Sequence, residues 1–182
     1  GHSHVIRVVL GPQNTNFTPA AINTFFDSRY VVSNNCNRTG YRLNGPILQH
    51  ETSADIISDG TQIGSIQVPA DGNPIILMSD RGPTGGYAKI GTVISSDLGL
   101  IAQSRPDDNL VFRQVSVEKA EAAFLEQESI LYSMDPTLFK NASNKLKSAL
   151  SQTSSSLSPY LDEDSKKIQR NATVKIKDKT FT

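Results

Sequence analysis

D-I-I-S-D-G-T-Q-I-G-S-I-Q-V-P-A-D-G-N-P-I-I-L-M-S-D-R-G-P-T-G-G-Y-A-K-I-G-T-V-I-S-S-D-L, residues Asp55 to Leu98, decides how this chain folds. Short apolar runs at Ser65–Val68, Pro74–Ser79 and Tyr87–Ser95 read as strands. The first two are separated by Ala70-Asp71-Gly72-Asn73, and Asp-Gly between apolar runs signals a hairpin. The next two are separated by Asp80-Arg81-Gly82-Pro83-Thr84-Gly85-Gly86, which is longer than a hairpin requires. Long polar loops held between strands are where binding sites are built.

Working outward, Val5–Leu10 is β-branched and apolar and predicts a buried strand ended by Gly11-Pro12. Thr18-Pro19 predicts a helix N-terminus, with Ala20, Ala21, Phe25 and Phe26 on its apolar side. Tyr30–Ser33 and Gly40–Leu43 predict two further strands, the second closed by Asn44-Gly45-Pro46. Beyond the central stretch, Ser95 or Ser96 caps a short helix over Asp97–Ser104, and the alternation in Asn109–Ser116 predicts a strand. Short strands spaced by turns, with minor helices, argue for a closed or nearly closed β-barrel rather than βαβ units. The pattern changes after Ser116, which caps a helix with Ala120, Ala123, Phe124, Ile130, Leu131 and Met134 at near-helical spacing. Asp135-Pro136 starts a second helix, and the serine-rich Ser151–Ser158 has too little apolar content to order itself. For Ala172–Thr182 a hairpin stub, a contact strand and a disordered tail all remain open. The expected divisions are residues 1–4 as a tag remnant outside the fold, 5–117 as the barrel, 118–150 as a helical extension, 151–171 as a linker and 172–182 as a strand-like tail.

The 182 residues suit one domain with appendages, and 18 Lys and Arg balance 18 Asp and Glu. That balance offers no electrostatic footprint for nucleic acid or an anionic membrane, so neither is expected as a partner. No apolar run has transmembrane length and no signal-peptide pattern opens the chain, so the expected compartment is the cytoplasm. Its single cysteine, Cys36, cannot close an internal disulfide and suits a reducing compartment. With His2 and His4 assigned to a tag, His50 is the one remaining histidine. A Ser-His-Asp or Cys-His nucleophile and a catalytic zinc site both need more than this, so no metal site is expected.

The remaining chemistry lies in polar clusters. Backbone N–H groups of Thr84-Gly85-Gly86 can form an anion-binding concavity, Arg81 and Lys89 can add charge for a carboxylate or carbamate, and Asp80 can accept from an amide N–H. The plainer reading is a loop whose glycines serve backbone geometry alone. Arg38, Tyr41 and Arg42 form a second cluster, for which a solvated strand edge is the simpler account. Asp59-Gly60 reads as a turn with the carboxylate capping backbone N–H groups, and Asp55 as the same kind of residue. Gln67 sits where a strand side chain can face a barrel mouth, His50 reads as an ordinary loop histidine, and Cys36 as a small buried or half-buried side chain.

These residues carry a resemblance. R-V-V-L-G-P-Q (Arg7–Gln13), N-R-T-G-Y-R-L-N-G-P (Asn37–Pro46), A-D-I-I-S-D-G (Ala54–Gly60), G-S-I-Q-V-P-A-D-G-N-P-I-I-L-M-S-D-R (Gly64–Arg81) and T-G-G-Y-A-K-I-G-T-V-I-S-S-D-L (Thr84–Leu98) resemble the second half of the allophanate hydrolase subunit 2 family. That family is also called KipA, the 5-oxoprolinase C subunit, or biotin-dependent carboxyltransferase. The resemblance covers about Val5 to Ala120. It implies a mainly β, cyclophilin-like barrel, a related half preceding this one, and a KipI-like partner. It also implies a small amide or ureido substrate such as urea, carboxybiotin or 5-oxoproline. Biotin would not be held covalently here; carboxybiotin would be delivered by another domain or subunit, since no Ala-Met-Lys-Met signal is present. The family's loop commonly reads D-R-Q-T-T-G-G-Y-P-K, so Gly82-Pro83 here removes two polar side chains, and Asn37 stands where an aspartate is usual.

On this resemblance Asp80, Lys89 and Arg42 are expected to be catalytic, with Asp80 holding a substrate N–H and Lys89 or Arg42 a carboxyl oxygen. Arg38, Tyr41, Gln67, Arg81, Thr84, Gly85, Gly86 and Tyr87 are expected to line the substrate. The competing expectation is a regulatory module of the KipA kind, which antagonises a kinase inhibitor and has no chemistry of its own.

Overall fold

The computed structural model describes residues 1–134 and two short strands at 174–176 and 179–181. Seven strands close a barrel: β1 (Ser3–Leu10), β2 (Arg29–Val32), β3 (Gly40–Asn44), β5 (Ser65–Gln67), β6 (Ile75–Leu77), β8 (Lys89–Val93) and β9 (Asn109–Gln114). The intervening β4 (Asp55–Gly60) and β7 (Thr84–Tyr87) pair only with each other, as an antiparallel ribbon outside the barrel. Around the barrel the order is β1-β8-β5-β6-β3-β2-β9, and β9 returns to β1. That closing pair is parallel and every other barrel pair is antiparallel. Closure leaves no free edge in the barrel sheet. This is the mainly β barrel that the spacing of strands and turns predicts.

Alternation fills the interior. Ile6 and Val8 of β1, Tyr30 and Val32 of β2, Leu43 of β3, Ile66 of β5, Ile76 of β6, Ile90 of β8, and Leu110 and Phe112 of β9 are all buried in one core. Helix α1 (Pro19–Asp27) covers one side, capped by Thr18, whose Oγ1 accepts the Ala21 N–H at 3.1 Å. It places Phe25 flat on Phe112, with ring centroids 4.4 Å apart, and beside Tyr30 at 5.9 Å. Burial pushes the Tyr30 phenol up to about 12, so it stays protonated and donates to the Pro46 carbonyl at 3.2 Å. His50 is structural: its Nε2 lies 3.0 Å from the Val68 carbonyl and its ring packs on Phe17. Asp97 is buried beneath Arg7, which grips it through Nε at 3.0 Å and a terminal nitrogen at 2.6 Å.

Several boundaries differ from expectation. The barrel begins at Ser3, not Val5, because Ser3 and His4 continue the parallel register to Asn109 and Leu110. The single strand expected over Tyr87–Ser95 is two. β7 ends at Tyr87, and Ala88 donates to the Ala54 carbonyl and accepts from the Val68 N–H, so the chain changes partners there. Asp59-Gly60 finishes strand β4 instead of standing alone as a turn, although the Asp59 carboxylate does take the Gly60 N–H at 2.8 Å. The helix expected near Asp97 is α2 (Leu98–Gln103), preceded by a 3-10 turn over Ser95–Asp97. Helix α3 (Val117–Met134) opens at Ser116, whose Oγ accepts the Lys119 N–H at 3.4 Å.

Two compact units divide the chain, Gly1–Ser129 and Ile130–Thr182. The first holds the barrel. In the second, β10 (Val174–Ile176) and β11 (Lys179–Phe181) form an antiparallel hairpin, the first of the three readings of the tail. The second helix expected from Asp135 and the linker over 151–171 lie outside the described residues. No helix among the described residues is long and apolar enough to cross a membrane.

Candidate functional site

The register brings a set of expected residues into one row. Arg42 on β3 pairs with Ile75 on β6, Ile75 with Gln67 on β5, and Gln67 with Lys89 on β8. Directly paired residues share one face of a sheet. The neighbouring pair Ile66 and Ile76 is fully buried in the core, so this row faces outward. Lys89 joins it through a β-bulge: one step on β5, from Ile66 to Gln67, is matched by two on β8, from Gly91 to Lys89. The extra residue, Ile90, goes to the core and Lys89 turns out.

Gln67 and Lys89 are nevertheless buried, at 7 % and 6 % exposure, because the β4–β7 ribbon lies over them. Lys89 Nζ donates to Asp59 Oδ2 and to the Gly60 carbonyl, both at 2.7 Å. Gln13 ties this pair to the barrel: its Nε2 donates to Asp59 Oδ2 at 3.0 Å and its Oε1 accepts the Lys89 N–H at 3.0 Å. The Lys89 ammonium and the Gly60 N–H hold the Asp59 carboxyl below its usual range. Gln67 Nε2 donates to the Tyr87 carbonyl at 3.4 Å. Gly85 lies close against this amide, and a Cβ on it would push Gln67 Nε2 aside. Among the described residues, the third N–H of the Lys89 ammonium and Gln67 Oε1 belong to the groups here that meet no protein partner. An amide presents the complementary pair, a C=O and an N–H.

The rest of the expected set lies elsewhere. Asp80 and Arg38 form an exposed ion pair, with Arg38 Nε 2.8 Å from Asp80 Oδ2, past the end of β6 opposite to the row. The Arg38 guanidinium holds the Asp80 carboxyl down. No hydrogen bond or ion pair joins Asp80 to Lys89 or Arg42 among the described residues. Tyr41 points the other way from Arg42, packs against the core, and donates its hydroxyl to the Ala102 carbonyl at 3.3 Å. Arg81 donates to the Thr61 carbonyl at 3.4 and 3.3 Å, and Thr61 Oγ1 donates to the Gly82 carbonyl at 2.5 Å, which fixes the base of the ribbon. Thr84, Gly85 and Gly86 form no N–H concavity. Such a nest needs a left-handed residue, whereas these residues form strand β7 and none has positive φ. Among the described residues no group of three or more His, Cys, Asp or Glu is placed to hold a metal ion.

Arg42 ends the row in a groove of about 460 Å³, lined also by Asn35, Asn44, Asp71, Asn73 and Ile75. Gln13 and Asp59 are the residues that sequence reading missed. Gln13 carries no local signal, and Asp59 carries the signal of a turn.

The family described as "Carboxyltransferase domain, subdomain A and B" matches residues 1–114. The chain is 38% identical over 123 residues to the 5-oxoprolinase C subunit of Escherichia coli (strain K12), a match that covers 68% of this chain and 40% of that relative. With the 5-oxoprolinase C subunit of Haemophilus influenzae it shares 37% identity over 128 residues, 70% of this chain and 41% of that relative. This chain thus spans about two fifths of the length of these relatives. Among solved structures, Kluyveromyces lactis urea carboxylase superposes with a TM-score of 0.62 at 26% identity, over 65% of this chain and 11% of that one. With residues 1–114 matched and two relatives above 30% identity, the chain belongs to the family of the carboxyltransferase domain, subdomains A and B.

Proposed function

We propose that this chain is the second half of a carboxyltransferase-type subunit in which Lys89, Gln67 and the β4–β7 ribbon bind the amide group of 5-oxoproline, a cyclic amide. The observation that carries this reading is the buried Lys89 ammonium, which keeps one N–H unspent beside the unspent Gln67 Oε1. Those two groups match the C=O and N–H of a lactam, and the ribbon leaves little room for water to compete at the Lys89 ammonium. Asp59 and Gln13 position the ammonium, and Lys89 polarises the amide carbonyl by donating to its oxygen. The relatives that favour this substrate are the 5-oxoprolinase C subunits, at 37–38% identity against 26% for the urea carboxylase structure. The same donor and acceptor also fit the ureido ring of carboxybiotin arriving from another domain or subunit, which would supply a transferable carboxyl group. The site is completed by a related preceding half and a KipI-like partner.

The test is turnover by the whole complex. The parent protein is expressed with its KipI-like partner, and ATP hydrolysis is measured with 5-oxoproline or urea, with and without biotin carboxylase components. Stimulation by 5-oxoproline without biotin supports the reading. Stimulation only by urea with biotin moves the chain to the urea carboxylase branch and overturns the assigned substrate. Silence in both, with tight partner binding, overturns the enzymatic reading in favour of a regulatory module.

A further inference from the structure

The groove at the far end of the row holds two opposite charges that do not meet. Arg42 is exposed, forms no ion pair, and its guanidinium donates no hydrogen bond among the described residues. Asp71 spends Oδ1 on the Asn73 N–H at 3.1 Å, and its Oδ2 meets no protein donor among the described residues. Both line the same groove of about 460 Å³, within the range of small-molecule sites. Oppositely charged side chains that share a groove without pairing leave room for a ligand bearing the complementary charges. The groove is lined also by Asn35 and Asn44, whose side-chain amides bond to no protein group among the described residues, and by the apolar Ile75.

We infer that this groove binds a zwitterionic α-amino acid, its carboxylate on Arg42 and its ammonium on Asp71. A guanidinium takes a carboxylate through two parallel N–H bonds, which a lone ammonium side chain would not orient. Asp71 excludes simple dianions, because a second negative charge placed against it would be repelled, whereas an ammonium is attracted. Asn35 and Asn44 then offer donors and acceptors to the ligand's side chain. The groove is distinct from the Lys89 site, and neither Gln67 nor Lys89 lines it. Ile75 lines the groove and pairs with Gln67, and three strand spacings, roughly 14 Å, separate Arg42 from Lys89 along the row. Opening a lactam frees an amine and a carboxylate, so glutamate is the fitting probe; that choice rests on the proposed function, whereas the charge pattern of the groove does not.

Calorimetric titration of the 182-residue chain tests this with L-glutamate, glutarate, which lacks the ammonium, and N-acetyl-L-glutamate, which masks it. Saturable glutamate binding is expected, roughly tenfold or more weaker in Arg42→Met and in Asp71→Asn. Glutarate and N-acetyl-L-glutamate should be weaker by a similar factor. Both side chains are exposed, and circular dichroism checks that each variant is folded. Equal binding of glutarate and glutamate, an unaffected Arg42→Met, or no glutamate binding overturns the inference. Turnover of the complex plays no part in this readout. Loss of amino-acid binding would leave the Lys89 reading standing, and a silent complex would leave the groove standing.

Discussion

The Lys89 ammonium sits 2.7 Å from Asp59 Oδ2, yet the two side chains differ sharply in burial, at 8 % and 53 % exposure. The cation belongs to the barrel and is enclosed; the anion belongs to the outer ribbon and stays wet. Asp59 is therefore the partner that can yield. Its folded carboxyl pKa lies below the ordinary 3.8 because the Lys89 ammonium donates to it. A depressed carboxyl contributes stability above the unfolded pKa and loses it as pH falls through the folded value. Asp59→Asn should thus melt earlier than the parent chain near neutrality, and the two curves should converge in acid below the depressed value. Thermal unfolding followed across pH checks this, and a gap that persists unchanged at low pH would assign the effect to packing.

Gly85 controls how closely the ribbon can lie on the row. A methyl group there meets Gln67 Nε2, the flexible end of a side chain, and the Thr61 methyl at 3.2 Å. Gly85→Ala should therefore displace the Gln67 amide from the Tyr87 carbonyl and loosen the ribbon, while leaving the barrel intact. Hydrogen exchange should accelerate at β4 and β7 amides, with barrel amides such as Ile66 and Ile76 unchanged. Uniform acceleration would contradict a local role. If the proposed function holds, kcat/KM of the complex falls with the same substitution.

The stability of the barrel itself rests on its aromatic centre. Phe112 is 1% exposed and stacks on Phe25 with rings 18° from parallel. Phe112→Ala removes that stack and the contact to Tyr30, and should cost about 3–5 kcal/mol in chemical denaturation. A cost below about 1 kcal/mol would mean that α1 collapses into the space.

The barrel was legible because its strands carry local signals: β-branched runs at Val5–Leu10, alternation at Leu110 and Phe112, and Asp71-Gly72 between β5 and β6. The site was only partly legible, because its geometry comes from pairing across long sequence separations. Arg42 reaches Lys89 through registers that join residues 42, 75, 67 and 89, and no local pattern carries such a register. Thr84-Gly85-Gly86 has turn composition, yet it becomes a strand because Asp55–Gly60 lies beside it. Arg38, Tyr41 and Arg42 read as one cluster, yet Tyr41 turns to the core and Arg42 outward, and local sequence offers nothing on the bulge at Ile90 that turns Lys89 outward. The resemblance grouped Asp80 with Lys89, whereas Asp80 pairs with Arg38 past the end of β6 and Lys89 pairs with Asp59 under the ribbon.

Lys89→Met separates chemistry from structure at the row. Methionine keeps most of the length of the side chain and removes the charge. Removing one member of a buried ion pair is costly because it strands the other charge, a cost that shrinks when the remaining partner keeps its water. Asp59 is half exposed and retains the Gly60 N–H and Gln13 Nε2, so it is not stranded. The Gly60 carbonyl does lose its donor, so the variant should stay folded and melt only modestly earlier near neutrality, as Asp59→Asn should. Turnover should fall by roughly a hundredfold or more if Lys89 donates to the carbonyl oxygen, the scale set by loss of one oriented donor to developing charge. Because that donor matters most in the transition state, the loss should appear in kcat more than in KM. Unchanged turnover would demote Lys89 to a strut for the ribbon, and a fall in melting temperature matching the fall in activity would assign the same structural role.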